Sequence, residues 1–183
     1  MSLEHLLKDC AKEKETARKR LFGLIADAMF SLCCRYVRNR ADAEELMLDG
    51  FRKIFTNLCK FRYESEAGFH GWARRIMVNE CLMFLRRDNA FSVSIDQHTG
   101  EVNIPETALD NLSAAEIYEA IQQLPAGYRT VFNMFEIEGY SHKEIATALN
   151  ISEGTSKSQL NKAKNWLRTQ LKKNETHEQR KIQ

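Results

Sequence analysis

The stretch from Ser141 to Leu171, SHKEIATALNISEGTSKSQLNKAKNWLRTQL, constrains this chain most. Ser141 can N-cap a helix, and Glu144, three residues on, can reach back to complete a capping box. Ile145, Ala146 and Leu149 then share one face. Asn150 tolerates the left-handed conformation that ends a helix. Ser152 can cap a second helix, and Glu153 suits its positive N-terminal end. That helix is expected to bury Leu160, Ala163, Leu167 and Leu171. A second line, Lys157, Asn161, Lys164, Arg168 and Lys172, should stay wet. The spacing therefore predicts two helices joined by a tight turn.

In a helix-turn-helix the second helix lies in the major groove of DNA. Between Ser152 and Lys173 six cations face a single carboxylate, Glu153. Such a helix can neutralise several phosphates, and its binding should depend strongly on salt. A solvated amphipathic helix would show the same lysine line. The cap, the turn and the following helix together favour DNA.

The rest of the chain extends the helical reading. Two Pro and eight Gly in 183 residues suit long helices better than a sheet with many turns. The length allows one or two small domains. No apolar run approaches the roughly 20 residues of a membrane span, so no membrane insertion is expected. The N-terminus, MSLEHLLKDCAKEKE, lacks the apolar core of a secretion signal. Five cysteines form no CxxC pair and five histidines are scattered. They read as reduced, mostly buried thiols of a cytoplasmic protein, with no zinc site and no cofactor. Paired catalytic carboxylates, an activated nucleophile and a phosphate-binding Gly loop are all missing, so no enzymatic step is expected.

Residues 4 to 20 read as a charged, solvated leading helix. An apolar helical face follows: Leu21, Leu24, Ile25, Ala28, Met29, Leu32 and Tyr36. Asn39-Arg40 breaks the run, and Asp42 is expected to cap the next helix with Glu45 at the capping-box position. Its apolar side is Ala43, Leu46, Met47, Gly50, Phe51, Ile54, Phe55 and Leu58. Its wet side begins with Asp42, Glu44, Glu45 and Asp49 and ends with Arg52, Lys53 and Lys60. Acid first and base last suits the helix dipole; it also suits a docking surface for another protein.

After a polar break over 61–70 comes GWARRIMVNECLMFLRRD. Arg75, Asn79 and Arg86 share one stripe, flanked by Trp72 and Met83, with Arg74 and Arg87 further round. Cations beside an exposed ring suit a single strand, whose phosphates pair with Arg and whose bases stack. A buried Trp72 with rim arginines is the alternative.

From Asp96 to Glu119 six acids occur with no Lys or Arg, and Gly100 and Pro105 fall within the interval. This reads as a linker. Ser113 and Glu116 offer another capping box for a helix running to Gln123. Pro125 starts the next helix, and Gly139 fits its left-handed cap. The expected architecture is all-α, with two small helical domains. Residues 1–90 form the first and 91–112 the acidic linker. Residues 113–173 carry the helix-turn-helix, and 174–183 form a polar tail.

These residues resemble a known family. ADAEELMLDGFRKIF and FHGWARRIMVNECLMFLRR are similar to region two of extracytoplasmic-function (ECF) sigma factors. LPAGYRTVFNMFEIEGYSHKEIATALNISEGTSKSQLNKAKNWL is similar to their region four. The likeness spans about 21 to 171 and is nearest to versions from Bacteroidetes-like bacteria. It implies an initiation subunit of bacterial RNA polymerase with core polymerase (beta-prime clamp and beta flap), promoter DNA and an anti-sigma factor as partners. By the same likeness Asp42, Glu45, Leu46, Asp49 and Phe51 would dock on the clamp. Trp72, Arg74, Arg75, Asn79, Arg86 and Arg87 would engage the minus-10 element. Thr155, Lys157, Ser158, Gln159, Asn161, Lys162 and Lys164 would meet the minus-35 element.

Two positions depart from the family pattern: Leu48 stands where Gln is usual, and Ser156 where Val is usual. Gln159, Asn161 and Lys162 also differ from an Arg-rich recognition helix. Gln pairs bidentately with adenine and Arg with guanine, so the promoter sequence should be shifted. The sequence also fits two rivals. One is a stand-alone helix-turn-helix regulator with 1–95 as an oligomerisation or sensing domain. The other is a protein-binding helical module.

Overall fold

The computed structural model describes the backbone of residues 2–87 and 114–179, and the side chains of 2–87 and 117–170. The expected linker, the Ser113–Glu116 box, the side chains of Leu171, Lys172 and Lys173, and those of the polar tail lie outside these residues. The chain divides into two units, Met1–Arg87 and Asp88–Gln183. Among the described residues every regular element is helical.

Unit 1 has four helices: α1 (Leu3–Ala11), α2 (Glu15–Tyr36), α3 (Arg40–Asn57) and α4 (Glu66–Arg87). The single charged helix expected over 4–20 is instead two. Glu13 takes φ 61, and Lys14 N bonds Asp9 O, so the chain turns between α1 and α2. Nor is α1 merely solvated. Leu6, Leu7 and Cys10 are buried, and α1 packs on α2 and on the 3-10 turn Leu58–Lys60. Lysines at 8, 12 and 14 disguise an apolar stripe only three residues long.

The buried face of α2 is Leu21, Ile25, Met29, Leu32, Cys33 and Tyr36. Leu24 and Ala28, expected inside, are exposed; Leu24 shows 61% of its surface. A helix can bury only the stripe that its neighbours cover. The cap of α3 also differs from expectation. Asn39, not Asp42, is the N-cap, its Oδ1 accepting from Ala41 N at 2.8 Å. Asp42 falls in the first turn instead, where a carboxylate still faces the positive helix end.

Close contact between α3 and α4 requires Gly50. A Cβ there would overlap the Sδ of Met77, itself fully buried. Beside this crossing Lys53 Nζ bonds Glu80 Oε1 at 2.6 Å, which satisfies a carboxylate that is 7% exposed. All five cysteines are free thiols, and Cys10, Cys33 and Cys81 are buried. A hydrogen bond with Cys33, reinforced by burial, pushes the Cys81 thiol well up.

Unit 2 has α5 (Ala114–Gln123), α6 (Ala126–Phe132), α7 (His142–Leu149) and α8 (Glu153–Gln179). Ala120, Ile121, Leu124, Tyr128, Ala163 and Leu167 form its core, with Ile117, Phe132, Ile137 and Trp166 packed around them. Pro125 precedes α6 as expected. The helix it opens does not run straight to Gly139; it widens into a π-turn over Asn133–Ile137 before Gly139 ends it at φ +74. Buried Arg129 donates from Nη1 to the carbonyls of Gln122 (3.2 Å) and Leu124 (3.0 Å), closing the C-terminal end of α5.

The helix-turn-helix forms as the sequence predicts. Ser141 Oγ accepts from Glu144 N, and Glu144 Oε2 accepts from Ser141 N at 2.9 Å. Asn150 takes φ 55, ψ 48. Ser152 Oγ accepts from Thr155 N at 2.9 Å and starts α8. Ser141→Ala removes one half of the box. It should lower the stability of unit 2 by about 0.5–2 kcal/mol, read from urea unfolding of the full chain. No loss would mean that the box does not hold the helix.

Candidate nucleic-acid interface

Ser65 fixes where α4 begins. Its Oγ accepts from Gly68 N at 3.0 Å and its carbonyl from Phe69 N, so the helix starts at Glu66, inside the expected break. The early start places Phe69 in the core at 0% exposure. Trp72 is half-buried, its ring centroid 4.6 Å from Phe61 and 6.0 Å from Phe69. It is neither fully core nor fully presented: one part packs on the aromatic pair and the rest reaches solvent. Arg75, Asn79 and Arg86 are exposed along the same stripe, with Met83 between the last two at 41% exposure. Arg87 is also exposed, and Arg74 is half-buried. One face of α4 thus brings together a partly exposed ring, an amide and two guanidinium groups.

On α3 the expected docking set separates into two. Leu46 is 7% exposed and Phe51 2%. Phe51 packs 4.5 Å from Phe22 and 5.9 Å from Phe55, so both residues are core and not docking surface. Their role is to hold the face up. Asp42 and Asp49 are part-exposed and Glu45 is exposed. Asp49 Oδ1 accepts from Arg52 Nη2 at 3.1 Å. Leu48, a large apolar side chain 56% exposed, stands among these acids.

On α8 the described part of the expected wet line is exposed or part-exposed, and its side chains differ in their partners. Lys157, Ser158 and Asn161 are exposed and Lys162 is half-exposed. Gln159 is 5% exposed and turned into the unit, because it lies three residues after buried Ser156 and four before buried Ala163, on the same helix stripe. It therefore does not present its amide to a groove. Thr155 is committed to the cap, its Oγ1 2.9 Å from Ser152 Oγ. Lys164 Nζ bonds Glu136 Oε1 at 2.8 Å, and Arg168 Nη1 bonds Asn165 Oδ1 at 3.4 Å.

Sequence reasoning missed the joint of the helix-turn-helix. His142 stacks on Phe135 with ring centroids 4.4 Å apart, and its Nδ1 lies 2.9 Å from Ser156 Oγ. Ser156 is fully buried. A polar pair thus links the first turn of α7 to the first turn of α8. The only hint in the sequence was a serine at an inward-facing position of an apolar stripe.

Two family models match the chain, in order. Sigma-70 region 2 matches residues 21–91, and Sigma-70 region 4 matches 114–167. The chain belongs to the sigma-70 family, in its ECF group. The stand-alone regulator falls, because a sigma region 2 module occupies the half assigned to sensing or oligomerisation. A sigma factor acts in transcription initiation, with core RNA polymerase and promoter DNA as its partners.

The ECF sigma factor SigE of Mycolicibacterium smegmatis is 29% identical over 154 residues, which cover 81% of this sigma factor and 59% of the relative. SigW of Bacillus subtilis is 26% identical and covered almost end to end, 94% of this chain and 98% of the relative. Among solved structures, the sigma factor RpoE of Bartonella quintana, in complex with the anti-sigma factor NepR, is similar with a TM-score of 0.53 at 23% identity. It covers 84% of this chain and 96% of that one. CnrH in complex with the cytosolic domain of CnrY gives a TM-score of 0.51 at 19% identity, covering 91% and 95%. These last two likenesses concern the fold alone. No described helix is long and apolar enough to cross a membrane.

Proposed function

We propose that this sigma factor directs core polymerase through three separate faces. Asp42, Glu45, Asp49 and Leu48 of α3 dock on the beta-prime clamp. Trp72, Arg75, Asn79 and Arg86 of α4 engage the minus-10 element as the duplex opens, with Arg74 and Arg87 at the margins. Lys157, Ser158, Asn161 and Lys162 of α8 meet the minus-35 element, while unit 2 contacts the beta flap. The carrying observation is the α4 stripe. Cations, an amide and a partly exposed ring on one helix face suit phosphates and unstacked bases together, which a duplex-only reader does not need.

Each unit alone binds DNA weakly. Joined by the chain and mounted on polymerase, the two gain through effective concentration. The protein performs no chemical step of its own and works in the cytoplasm at the nucleoid. An anti-sigma factor is a further partner; the similar sigma factor RpoE of Bartonella quintana is bound to the anti-sigma factor NepR. The test is run-off transcription with core polymerase over a promoter library. Initiation at defined sites supports the reading, and no initiation at any site ends it.

A narrower test concerns α8. Lys157→Ala should weaken duplex binding on every sequence and reduce the salt slope by about one, as for one lost phosphate contact. An unchanged slope would remove Lys157 from the DNA surface.

A further inference from the structure

Two lysines on the wet line of α8 have different surroundings. Lys157 is exposed near the start of the helix. Lys164, two turns on, points its ammonium at Glu136, with Nζ and Oε1 2.8 Å apart and the side chains 40% and 32% exposed. Glu136 belongs to the π-turn Asn133–Ile137, ahead of Gly139 and α7. The pair therefore ties the segment before the helix-turn-helix to the outer side of its second helix.

We infer that Glu136 limits duplex affinity: it holds Lys164 in an internal ion pair and withholds one phosphate contact from the minus-35 interface. The inference rests on the reading of unit 2 as a duplex binder. A lysine releases DNA counterions only when a phosphate takes its charge. Lys164 already has a carboxylate partner. Exchanging that partner for a phosphate would leave Glu136 anionic beside a polyanion, and like charges at that range repel. The ion pair is part-exposed and so contributes little to folding. Its main consequence is the charge that α8 can offer to DNA.

The experiment measures binding of the full chain to a labelled duplex of mixed sequence, about 30 base pairs long, between about 50 and 200 mM salt. Glu136→Gln keeps the shape and removes the charge. It should tighten binding and steepen the salt slope by about 0.9, so that its advantage over wild type shrinks about threefold across that range. Lys164→Ala alone should leave the wild-type slope unchanged. The double variant should return to the wild-type slope.

Two results overturn the inference while sparing the duplex reading: parallel slopes for wild type and Glu136→Gln, or a slope that flattens by about one in Lys164→Ala alone. A double variant that keeps the steeper slope overturns it too, because the gain would then come from charge loss and not from Lys164. A wild type with no salt-dependent duplex binding overturns the duplex reading and this inference together.

Discussion

Asp49→Arg is expected to abolish recovery of the sigma factor with core polymerase while unit 1 stays folded. Asp49 is part-exposed on the acidic side of α3, paired with Arg52 across one helical turn. An arginine there loses that pair and sets two guanidinium groups side by side. For folding the cost is small, because surface substitutions of this kind usually stay within about 0.5 kcal/mol. For docking it is large. The face presents Asp42, Glu45 and Asp49 together with Leu48 at their edge, and a like charge set against a complementary partner costs several kcal/mol. A loss of about 3 kcal/mol weakens association roughly a hundredfold. The control is Asp27→Arg, the same charge change at an exposed position of α2. It should co-purify normally. The docking face is wrong if Asp49→Arg also does, with the helical circular dichroism of both variants intact.

Phe69→Ala should be the most damaging single truncation in unit 1. The ring is fully buried, 5.8 Å from Phe61 and 6.0 Å from Trp72. Truncating a buried phenylalanine costs about 3–5 kcal/mol through lost transfer energy and the cavity left behind. Small domains have only about 5–15 kcal/mol in total. The midpoint of unit 1 should fall by at least about 12 °C. Trp72 and Trp166 are the two tryptophans, so a Trp166→Phe background leaves Trp72 as the reporter of this cluster. In that background Phe69→Ala should shift the Trp72 emission to the red before global unfolding. A loss below about 1 kcal/mol would show that the Phe61–Phe69–Trp72 cluster does not support α4.

What was legible in the sequence was mostly local. The Ser141–Glu144 box, the left-handed Asn150, the Ser152 cap and Gly139 each act within one or two turns, so their residue types alone reveal them. The exposed positions of Arg75, Asn79 and Arg86 were legible because polar residues at helical spacing on an otherwise apolar helix can face only water. The Asn39 cap was missed because Asn39 and Asp42 are both good caps, and the sequence offers no way to choose between them.

By itself, then, the sequence determined that this protein is helical, in two parts, with a helix-turn-helix in the second and a cation-and-aromatic stripe in the first. Only the tertiary structure decided how far each buried face extends and which polar side chains find partners. Leu46 and Phe51, docking residues by the family likeness, are fully committed to the core of unit 1, while Leu48 stands at the surface. Leu24 was left bare, and Gln159 was turned inward. Lys164 was claimed by a carboxylate 28 positions earlier in the chain. Helical periodicity fixes the angles between side chains on one helix. Burial and long-range ion pairs depend on what another helix brings against it, and that is set by packing, not by spacing.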